Sequence, residues 1–284
     1  MRRNEDQSRF WNDGPGGKTW SARADDLDQM HESVTELLLE TIAPEPGMRI
    51  LDVGCGAGAT SLTFAKHLAP EGEVVGLDFA RPLIELARER AEARGISNVS
   101  FRIDDAQSAD LGIALYDAVI SRFGLMFFED PVAAFRNIHT CLKPRARIVF
   151  VAWAGADQNP WFGEARAAAE EHFGPAKPTP PDAPGPIAFA EIDRVLGILE
   201  RSGFEHRRGE ARDIELFHPG GLQTILQLAK VIGPIPGYLR ENEGTKADLA
   251  AILNSLGKRF CRMKDDNGIT LPARVNIFEA RATT

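Results

Sequence analysis

Short apolar runs alternate with amphipathic stretches through the middle of the chain. Their spacing predicts five strands with helices between them, which is the rhythm of βαβ units and of a parallel sheet covered on both faces. The predicted strands span 49–53, 73–77, 99–103, 116–120 and 147–153. The predicted helices span 60–68, 81–94 and 131–142.

The pattern changes on either side of this region. Before it, apolar positions at helical spacing predict one amphipathic helix over 25–42, which the prolines at 44 and 46 end. After it, helices are predicted at 160–173 and 190–202, and strands at 204–217 and 274–280. The fold class is therefore α/β: a doubly wound, mostly parallel seven-stranded sheet with an N-terminal helical arm and a helical cap inserted between late strands.

These elements predict three units. Residues 1–47 form the arm, residues 48–218 and 266–284 form the α/β domain, and residues 219–265 form the helical cap. The proline-rich stretch 174–186 cannot be regular structure. It is either an exposed connector or a loop over the pocket.

Composition narrows the class of protein. The 284 residues carry a formal net charge of −8, and this acidity argues against a nucleic-acid partner. Cys55, Cys141 and Cys261 form no CxxC pair, so neither a metal site nor a disulfide framework is expected. Without an apolar run that could span a membrane or serve as a signal peptide, a cytoplasmic location is expected. A homodimer is left open.

A glycine-rich turn follows the first strand. In the segment Ile-Leu-Asp-Val-Gly-Cys-Gly-Ala-Gly at 50–58, glycines permit positive φ and let a ligand approach the backbone. Gly54, Gly56 and Ala59 match the loose dinucleotide pattern, which is weak evidence alone.

Acidic residues at three strand ends add the discriminating signal. Asp52 precedes the glycines, where its carboxylate would face an amino group and repel a pyrophosphate. Asp78 ends the second strand, about 20 residues after the glycines, where an acid bonds ribose hydroxyls. Asp105 ends the third strand and would accept from an adenine amino group. Together these acids describe a ligand with adenosine at one end and an amino acid at the other.

The glycine turn and four later segments occur in the order and spacing of a known signature. The four segments are Val-Gly-Leu-Asp at 75–78, Asp-Asp-Ala at 104–106, Tyr-Asp-Ala-Val at 116–119 and Leu-Lys-Pro at 142–144. The chain resembles class I S-adenosylmethionine-dependent methyltransferases (methyltransferase type 11/12), and in particular the group that includes ubiquinone and menaquinone biosynthesis methyltransferases. The resemblance covers residues 48 to 153 strongly.

The resemblance implies a role for each matching residue of the turn. Gly54, Cys55, Gly56 and Gly58 would line the methionine and ribose part of S-adenosylmethionine, and Asp52 would hold its amino end directly or through water. Two structural alternatives stand beside this interpretation. Asp52 would instead cap backbone amides in the turn, and Cys55 would pack as a small residue.

The nucleoside would lie across the next strands. The resemblance implies that Asp78 binds the ribose, that Phe79 packs on adenine, and that Asp105 reaches the adenine amino group with Ala106 beside it. Asp104 stands where the family often has glycine, so the choice between Asp104 and Asp105 stays open. Asp78 would also serve as an N-cap for the following helix.

Ser121 and Arg122 follow the fourth strand and would face the methionine moiety and the substrate opening. Trp11 and Trp20 would either close over the cofactor, because aromatic faces suit a sulfonium, or anchor the arm to the core.

Methyl transfer needs alignment first, and a base only if the acceptor must lose a proton. The candidate catalytic residues are His31, His218 and Arg122, with an ordinary surface or capping role as the alternative for each histidine. The apolar segment 222–235 suggests a small, partly apolar organic acceptor such as a quinone, phenol or polyketide-like metabolite, methylated on O, N or C. Two other functions remain: an NAD(P)-dependent oxidoreductase, and a non-catalytic protein that binds the cofactor.

Overall fold

The computed structural model describes residues 5–177, 180 and 183–283. The first four residues of the predicted arm lie outside this range, as do four positions in the predicted proline-rich connector: Pro178, Thr179, Pro181 and Asp182. Within the described ranges, no helix is long and apolar enough to cross a membrane.

One seven-stranded sheet forms the centre of the molecule, in the order β3-β2-β1-β4-β5-β7-β6. β1 to β5 pair in parallel, whereas β7 runs antiparallel to both of its neighbours. The predicted doubly wound, mostly parallel seven-stranded sheet is confirmed. Its strands are β1 Arg49–Val53, β2 Glu73–Asp78, β3 Val99–Ile103, β4 Tyr116–Arg122, β5 Leu142–Trp153, β6 Glu205–His218 and β7 Ile269–Arg281.

Five helices follow strands of this sheet or connect them, and each lies close to its predicted span. The helix after β4 begins at Pro131, where a fixed φ suits the first turn, and the Asp130 side chain accepts from the Ala133 N–H. These helices are α5 Ala59–Leu68, α6 Arg81–Ala93, α7 Pro131–Cys141, α8 Pro160–Phe173 and α9 Ile192–Arg201.

The helix predicted over 25–42 is two helices, α3 Ala24–Met30 and α4 Glu32–Ile42. The backbone leaves helical geometry at His31, with φ −101° and ψ 16°. Both halves bury apolar side chains, such as Leu27 in α3 and Leu38 in α4. Because the apolar spacing continues across the break, the sequence pattern alone does not reveal it.

Upstream of α3, the chain forms helical structure that the sequence pattern did not predict: α1 Glu5–Ser8, a π-helical turn Arg9–Asp13 and α2 Pro15–Ala22. Gly16 and Gly17 are poor helix formers, but tertiary contact requires them. A Cβ on Gly16 would lie 2.5 Å from the Phe10 ring, and one on Gly17 would lie 2.1 Å from the Trp11 carbonyl oxygen. Close packing therefore outweighs helix propensity here.

Three further helices lie between β6 and β7, at the position predicted for a helical cap: α10 Gly221–Ala229, α11 Ile235–Glu241 and α12 Lys246–Phe260. α12 begins with a reciprocal capping box between Thr245 and Asp248. It packs against α8 and against α10. The division of the chain into arm, α/β domain and cap stays a prediction.

The antiparallel edge of the sheet is joined to the parallel part by an aromatic core. Phe150 of β5 and Phe278 of β7 stack with ring centroids 4.9 Å apart. Phe278 is fully buried, and it also occupies the space beside Gly209 of β6, where a Cβ would lie 2.9 Å from its ring. This ring thus contacts both neighbouring strands of β7.

We expect Phe278→Ala to lower the free energy of unfolding by about 3–5 kcal/mol, because it removes a buried ring and leaves a cavity. Phe217→Ala is the matched control, since Phe217 on the neighbouring strand is 42% exposed and should cost under about 1 kcal/mol. Urea unfolding at equilibrium measures both. Equal losses in the two variants would contradict the assignment of Phe278 to the core.

Candidate active site

A cavity of about 800 Å³ opens at the carboxyl ends of β1, β2, β4 and β5. This is the edge at which open α/β sheets bind ligands, and the switch in strand order between β1 and β4 lies beside it. One side of the cavity is formed by the glycine turn and the arm. The other side is formed by the ends of β4 and β5, by α8 and by the α10–α11 region.

The glycine turn brings the backbone to the cavity wall. Gly54, Gly56 and Gly58 have φ of 70°, 54° and 82°, a region that favours glycine. A Cβ on Gly54 would lie 2.6 Å from Cα of Gly124, so the two backbones touch. Gly54, Cys55 and Gly56 line the cavity. Gly58 instead precedes α5 and packs against Ala87 of α6, away from the lining.

Asp78, at the end of β2, borders the cavity and holds the turn at the same time. Its carboxylate accepts from the backbone N–H groups of Gly56 at 2.9 Å and Ala80 at 2.8 Å. Burial raises the pKa of Asp78 above its ordinary value, and these backbone donors oppose that rise. Asp78 therefore organises the local backbone and also presents a carboxylate to the cavity.

The arm is fastened to this end of the cavity by Asn12, which the sequence pattern did not single out. Its side-chain amide donates to the Phe79 carbonyl at 3.0 Å and accepts from the Arg81 N–H at 2.9 Å. Phe79 lines the cavity, as do Trp11 and Trp20, whose ring centroids are 5.5 Å apart. Nothing in the glycine-rich sequence around Asn12 indicates that this side chain contacts a segment 67 residues away.

Asp52 does not line the cavity. It is buried beneath the turn, where one carboxylate oxygen accepts from the Ser61 hydroxyl at 2.6 Å. The other oxygen is buried and has no hydrogen-bond partner among the described residues. Burial raises the pKa of Asp52 to about 6, partly offset by the Ser61 hydrogen bond. Asp52 is thus buried outside the lining of the cavity at which the sequence predicted its contact.

Of the two adjacent acids after β3, the structure places Asp104 on the cavity wall and not Asp105. Asp105 accepts from the Gln107 N–H at 2.9 Å and so holds the next turn of the chain. Asp104 accepts from Arg102 at 3.0 Å. Ala106, predicted to lie beside the contact, does line the cavity. Of the two acids between which the sequence left the choice open, Asp104 is therefore the one that borders the cavity.

Ser121 and Arg122 end β4 but reach different places. The Ser121 hydroxyl is fully buried, accepts from the Gly124 N–H at 3.2 Å and does not line the cavity. Arg122 lines the cavity and donates to Asp28 of α3 at 2.8 Å and to Thr35 of α4 at 3.0 Å. Arg122 therefore holds the two halves of the broken helix against the sheet.

Asp28 extends this link to the opposite side of the glycine turn. Its second oxygen lies 2.9 Å from Arg90 of α6, which also donates to the Ala57 carbonyl at 3.0 Å and pairs with Asp25. Asp28 of the arm thus pairs with both Arg90 and Arg122, and Asp25 supplies a second carboxylate to Arg90.

The two candidate histidines separate in space. His31 lines the cavity, whereas His218 of β6 does not; the His218 Nδ1 accepts from the Gly220 N–H at 3.0 Å. Burial, and then the nearby Arg122 charge, lower the pKa of His31 to about 3, so its ring is neutral at pH 7. The His31 Nε2 has no hydrogen-bond partner in the described part of the chain.

An aromatic wall lies beside His31 and was not predicted from the sequence. Phe123 and Trp153 stack at 4.1 Å with their planes 4° apart, and the His31 ring meets both edgewise. Phe123 has φ of 64°, an unusual conformation for a non-glycine residue. Trp161 and Phe162 of α8 extend the wall towards α11. The signal that could have indicated this wall is an aromatic residue at the end of each of two adjacent strands, β4 and β5.

Comparison with known proteins relates one segment of the chain to a known family. Residues 44–177 match the family model described as a methyltransferase domain. This segment belongs to that family. Nocamycin O-methyltransferase from Saccharothrix syringae is 34% identical over 115 residues, which are 40% of this chain and 41% of that protein. Demethylmenaquinone methyltransferase from Geobacillus kaustophilus is 26% identical over 184 residues, which are 60% of this chain and 79% of that protein.

A solved structure shares the fold over a longer span. Phosphoethanolamine N-methyltransferase 2 from Haemonchus contortus, in complex with phosphomonomethylethanolamine and S-adenosylhomocysteine, matches with a TM-score of 0.58 at 14% identity. The match covers 100% of this chain and 61% of that one. This chain spans less than half of the nocamycin enzyme, so the sequence match is a match of the methyltransferase domain.

The contact between Gly54 and Gly124 predicts a specific sensitivity in the methyltransferase domain. A Cβ on Gly124 would lie 2.7 Å from Cα of Gly54, so Gly124→Ala should lower the free energy of unfolding by about 1–3 kcal/mol. Gly197→Ala in α9, where a Cβ meets nothing within 4 Å, should instead raise it by about 0.5–1 kcal/mol. Denaturant unfolding of both variants measures these changes. If Gly124→Ala leaves the free energy of unfolding unchanged, the glycine turn tolerates separation from the turn after β4.

Buried neutral His31 predicts a pH dependence of stability. Its folded pKa of about 3 lies below the unfolded value of 6.5, so its stabilising contribution is complete above pH 6.5 and is lost as the pH falls towards 3. Between pH 7 and pH 5 we expect this loss to be about 2 kcal/mol in the free energy of unfolding.

The comparison of wild type with His31→Gln at both pH values isolates that loss from the opposite effect of Asp52, whose raised pKa of about 6 favours folding as the pH falls. His67→Gln is the control, because His67 is exposed. If wild type and His31→Gln lose the same stability between pH 7 and pH 5, His31 is not a buried neutral histidine.

Proposed function

We propose that this protein transfers the methyl group of S-adenosylmethionine to a small, partly apolar organic molecule. The observation that carries the proposal is the continuity of one cavity, which joins a glycine turn and strand-end acids to an apolar aromatic wall. Its volume of about 800 Å³ is in the upper range for small-molecule sites and leaves room for two ligands side by side.

The residues at the turn fit a nucleoside that carries an amino acid. Asp78 already accepts two backbone hydrogen bonds, but each carboxylate oxygen has a second lone pair for a ribose hydroxyl. Asp104 offers acceptors for an adenine amino group, and Phe79 and Ala106 offer apolar faces for its ring. A Cβ on Gly56 would meet nothing within 4 Å, so the space beside it is available to a ligand.

The same residues disfavour the oxidoreductase alternative. A nicotinamide dinucleotide would put a doubly charged pyrophosphate at the turn, close to Asp78 and above buried Asp52. Arg90, which donates to the Ala57 carbonyl, and Arg122, which lines the cavity, are paired with carboxylates of the arm. A sulfonium is instead attracted by this local negative charge and by the aromatic rings of the wall.

The chain's own residues would act mainly by alignment and exclusion of water. When bound, S-adenosylmethionine supplies an electrophilic methyl group. The stacked Phe123 and Trp153 rings hold an acceptor beside the turn, and the arm residues Trp11 and Trp20 cover the opposite side. Fixed alignment of this kind can supply several kcal/mol of a displacement barrier.

His31 is the residue best placed to orient an acceptor hydroxyl. Its neutral ring can accept a hydrogen bond, but a pKa of about 3 makes it a weak base at neutral pH. We therefore infer that the acceptor either is already ionised or loses its proton to solvent. His218 takes no part in this proposal, because it does not line the cavity. A cytoplasmic location, a homodimer and the absence of a nucleic-acid partner stay predictions from the sequence.

Calorimetric titration with S-adenosylhomocysteine tests the cofactor site. We expect binding by the wild type and a loss of at least about tenfold in Asp78→Ala and in Asp104→Ala, because each removes charged hydrogen-bond acceptors. Asp105→Asn is the matched control and should bind as wild type does, since asparagine can still accept from the Gln107 N–H.

NADH is titrated in parallel, and NADH binding without S-adenosylhomocysteine binding would replace this proposal by the oxidoreductase. Transfer of a labelled methyl group to a panel of aromatic acids, phenols and amines then separates an enzyme from a protein that only binds the cofactor. Tight cofactor binding with no transfer to any member of the panel would favour the binding protein.

A further inference from the structure

Among the described residues, every polar side chain that lines the far side of the cavity from the glycine turn, beyond His31, is a hydrogen-bond donor only. We call these five residues the donor wall: Trp153, Trp161, Arg166, Lys230 and Arg240. Indole, guanidinium and ammonium groups carry N–H donors and no acceptor. The remaining lining on this side is apolar and includes Phe123, Phe162, Ile187 and Ile232.

Two of these donors belong to buried side chains and have no partner. Trp153 and Trp161 are each 4% exposed, and in the described part of the chain neither indole N–H has a hydrogen-bond acceptor. Neither indole nitrogen is among the fully buried polar atoms that lack a partner, so the cost of an orphaned donor does not apply to them. Because both side chains line the cavity, a ligand bound there can accept hydrogen bonds from them.

The cations of the donor wall are not equivalent. The Arg166 Nε donates to Glu170 at 2.8 Å, so its charge is matched within the protein. Lys230, at the end of α10, and Arg240, in the last turn of α11, have no ion pair among the described residues. Both are exposed and line the cavity. In a chain with a net charge of −8, two unmatched cations bordering an apolar cavity form a local positive rim.

We propose that the methyl acceptor is an aromatic carboxylic acid with ring carbonyl or ether oxygens, whose carboxylate meets Arg240 and Lys230 while its oxygens accept from Trp153 and Trp161. This proposal rests on the proposed function and names its substrate class. The apolar lining suits fused rings, and the donor wall leaves the donors of an amine or an ammonium without partners.

The test uses three probes with one ring system: xanthone-2-carboxylate, xanthone-2-carboxamide and 2-(aminomethyl)xanthone. Each is titrated calorimetrically into the full chain in the presence of saturating S-adenosylhomocysteine, or without it if that ligand does not bind. We expect the carboxylate to bind about tenfold more tightly than the carboxamide, and the ammonium probe to bind most weakly.

Variants then assign the preference to residues. Arg240→Gln and Lys230→Gln should each reduce the carboxylate-to-carboxamide ratio, and the double variant should bring it close to one. Arg262→Gln is the matched control, because Arg262 is exposed and does not line the cavity; it should leave the ratio unchanged. Trp161→Phe should weaken the carboxylate and the carboxamide by the same factor, since it removes a donor that both probes use.

Equal binding of the carboxylate and the carboxamide to the wild type would overturn the proposal, as would no binding of any probe. A preference that survives in the double variant would show that the donor wall is not its source. This test and the cofactor titration fail in different ways. If the wild type prefers the carboxylate but does not bind S-adenosylhomocysteine, the proposed function is refuted. If it binds S-adenosylhomocysteine but shows no carboxylate preference, only the substrate class is refuted.

Discussion

The backbone contact between Gly54 and Gly124 is the constraint on which the site depends. It brings together the turns after β1 and β4, the two strands at the switch point of the sheet. Because neither residue has a side chain, the two turns can touch, and within the second turn the Ser121 hydroxyl accepts from the Gly124 N–H. The glycine turn on one side and Phe123 on the other are thereby held at fixed positions around one cavity.

Charge is distributed unevenly around that cavity. Asp78 and Asp104 line the side of β2 and β3, whereas the opposite side carries Lys230 and Arg240, which have no ion pair within the described ranges. Arg122 also lines the cavity, and Asp28 of the arm pairs with both Arg122 and Arg90. The arm therefore does more than cover the site, because it removes positive charge from the side where a sulfonium would be placed. A cationic donor and an anionic acceptor would each meet complementary charge on approach.

The low pKa of His31 follows from the place where the arm packs against the ends of β4 and β5. Its ring is enclosed by Phe123 and Trp153 and lies near Arg122, so both desolvation and a like charge disfavour protonation. The break between α3 and α4 occurs at this residue. A continuous helix would not pass through that backbone conformation, and the aromatic wall, the helix break and the neutral imidazole therefore form one local arrangement.

Local patterns along the sequence were enough to predict the seven strands, most of the flanking helices, the glycine turn and the acids at the strand ends. Strand and helix periodicity report burial on one face, and that burial is preserved in almost any tertiary arrangement of the same elements. Only the tertiary structure decided which polar groups face the cavity. Asp104 lines it while Asp105 holds a turn, and Asp52 and His218 are absent from the lining. Contacts between distant segments, such as Asn12 with Phe79 or Asp28 with Arg122, leave no periodic signal in either partner, because each depends on where the other segment is placed.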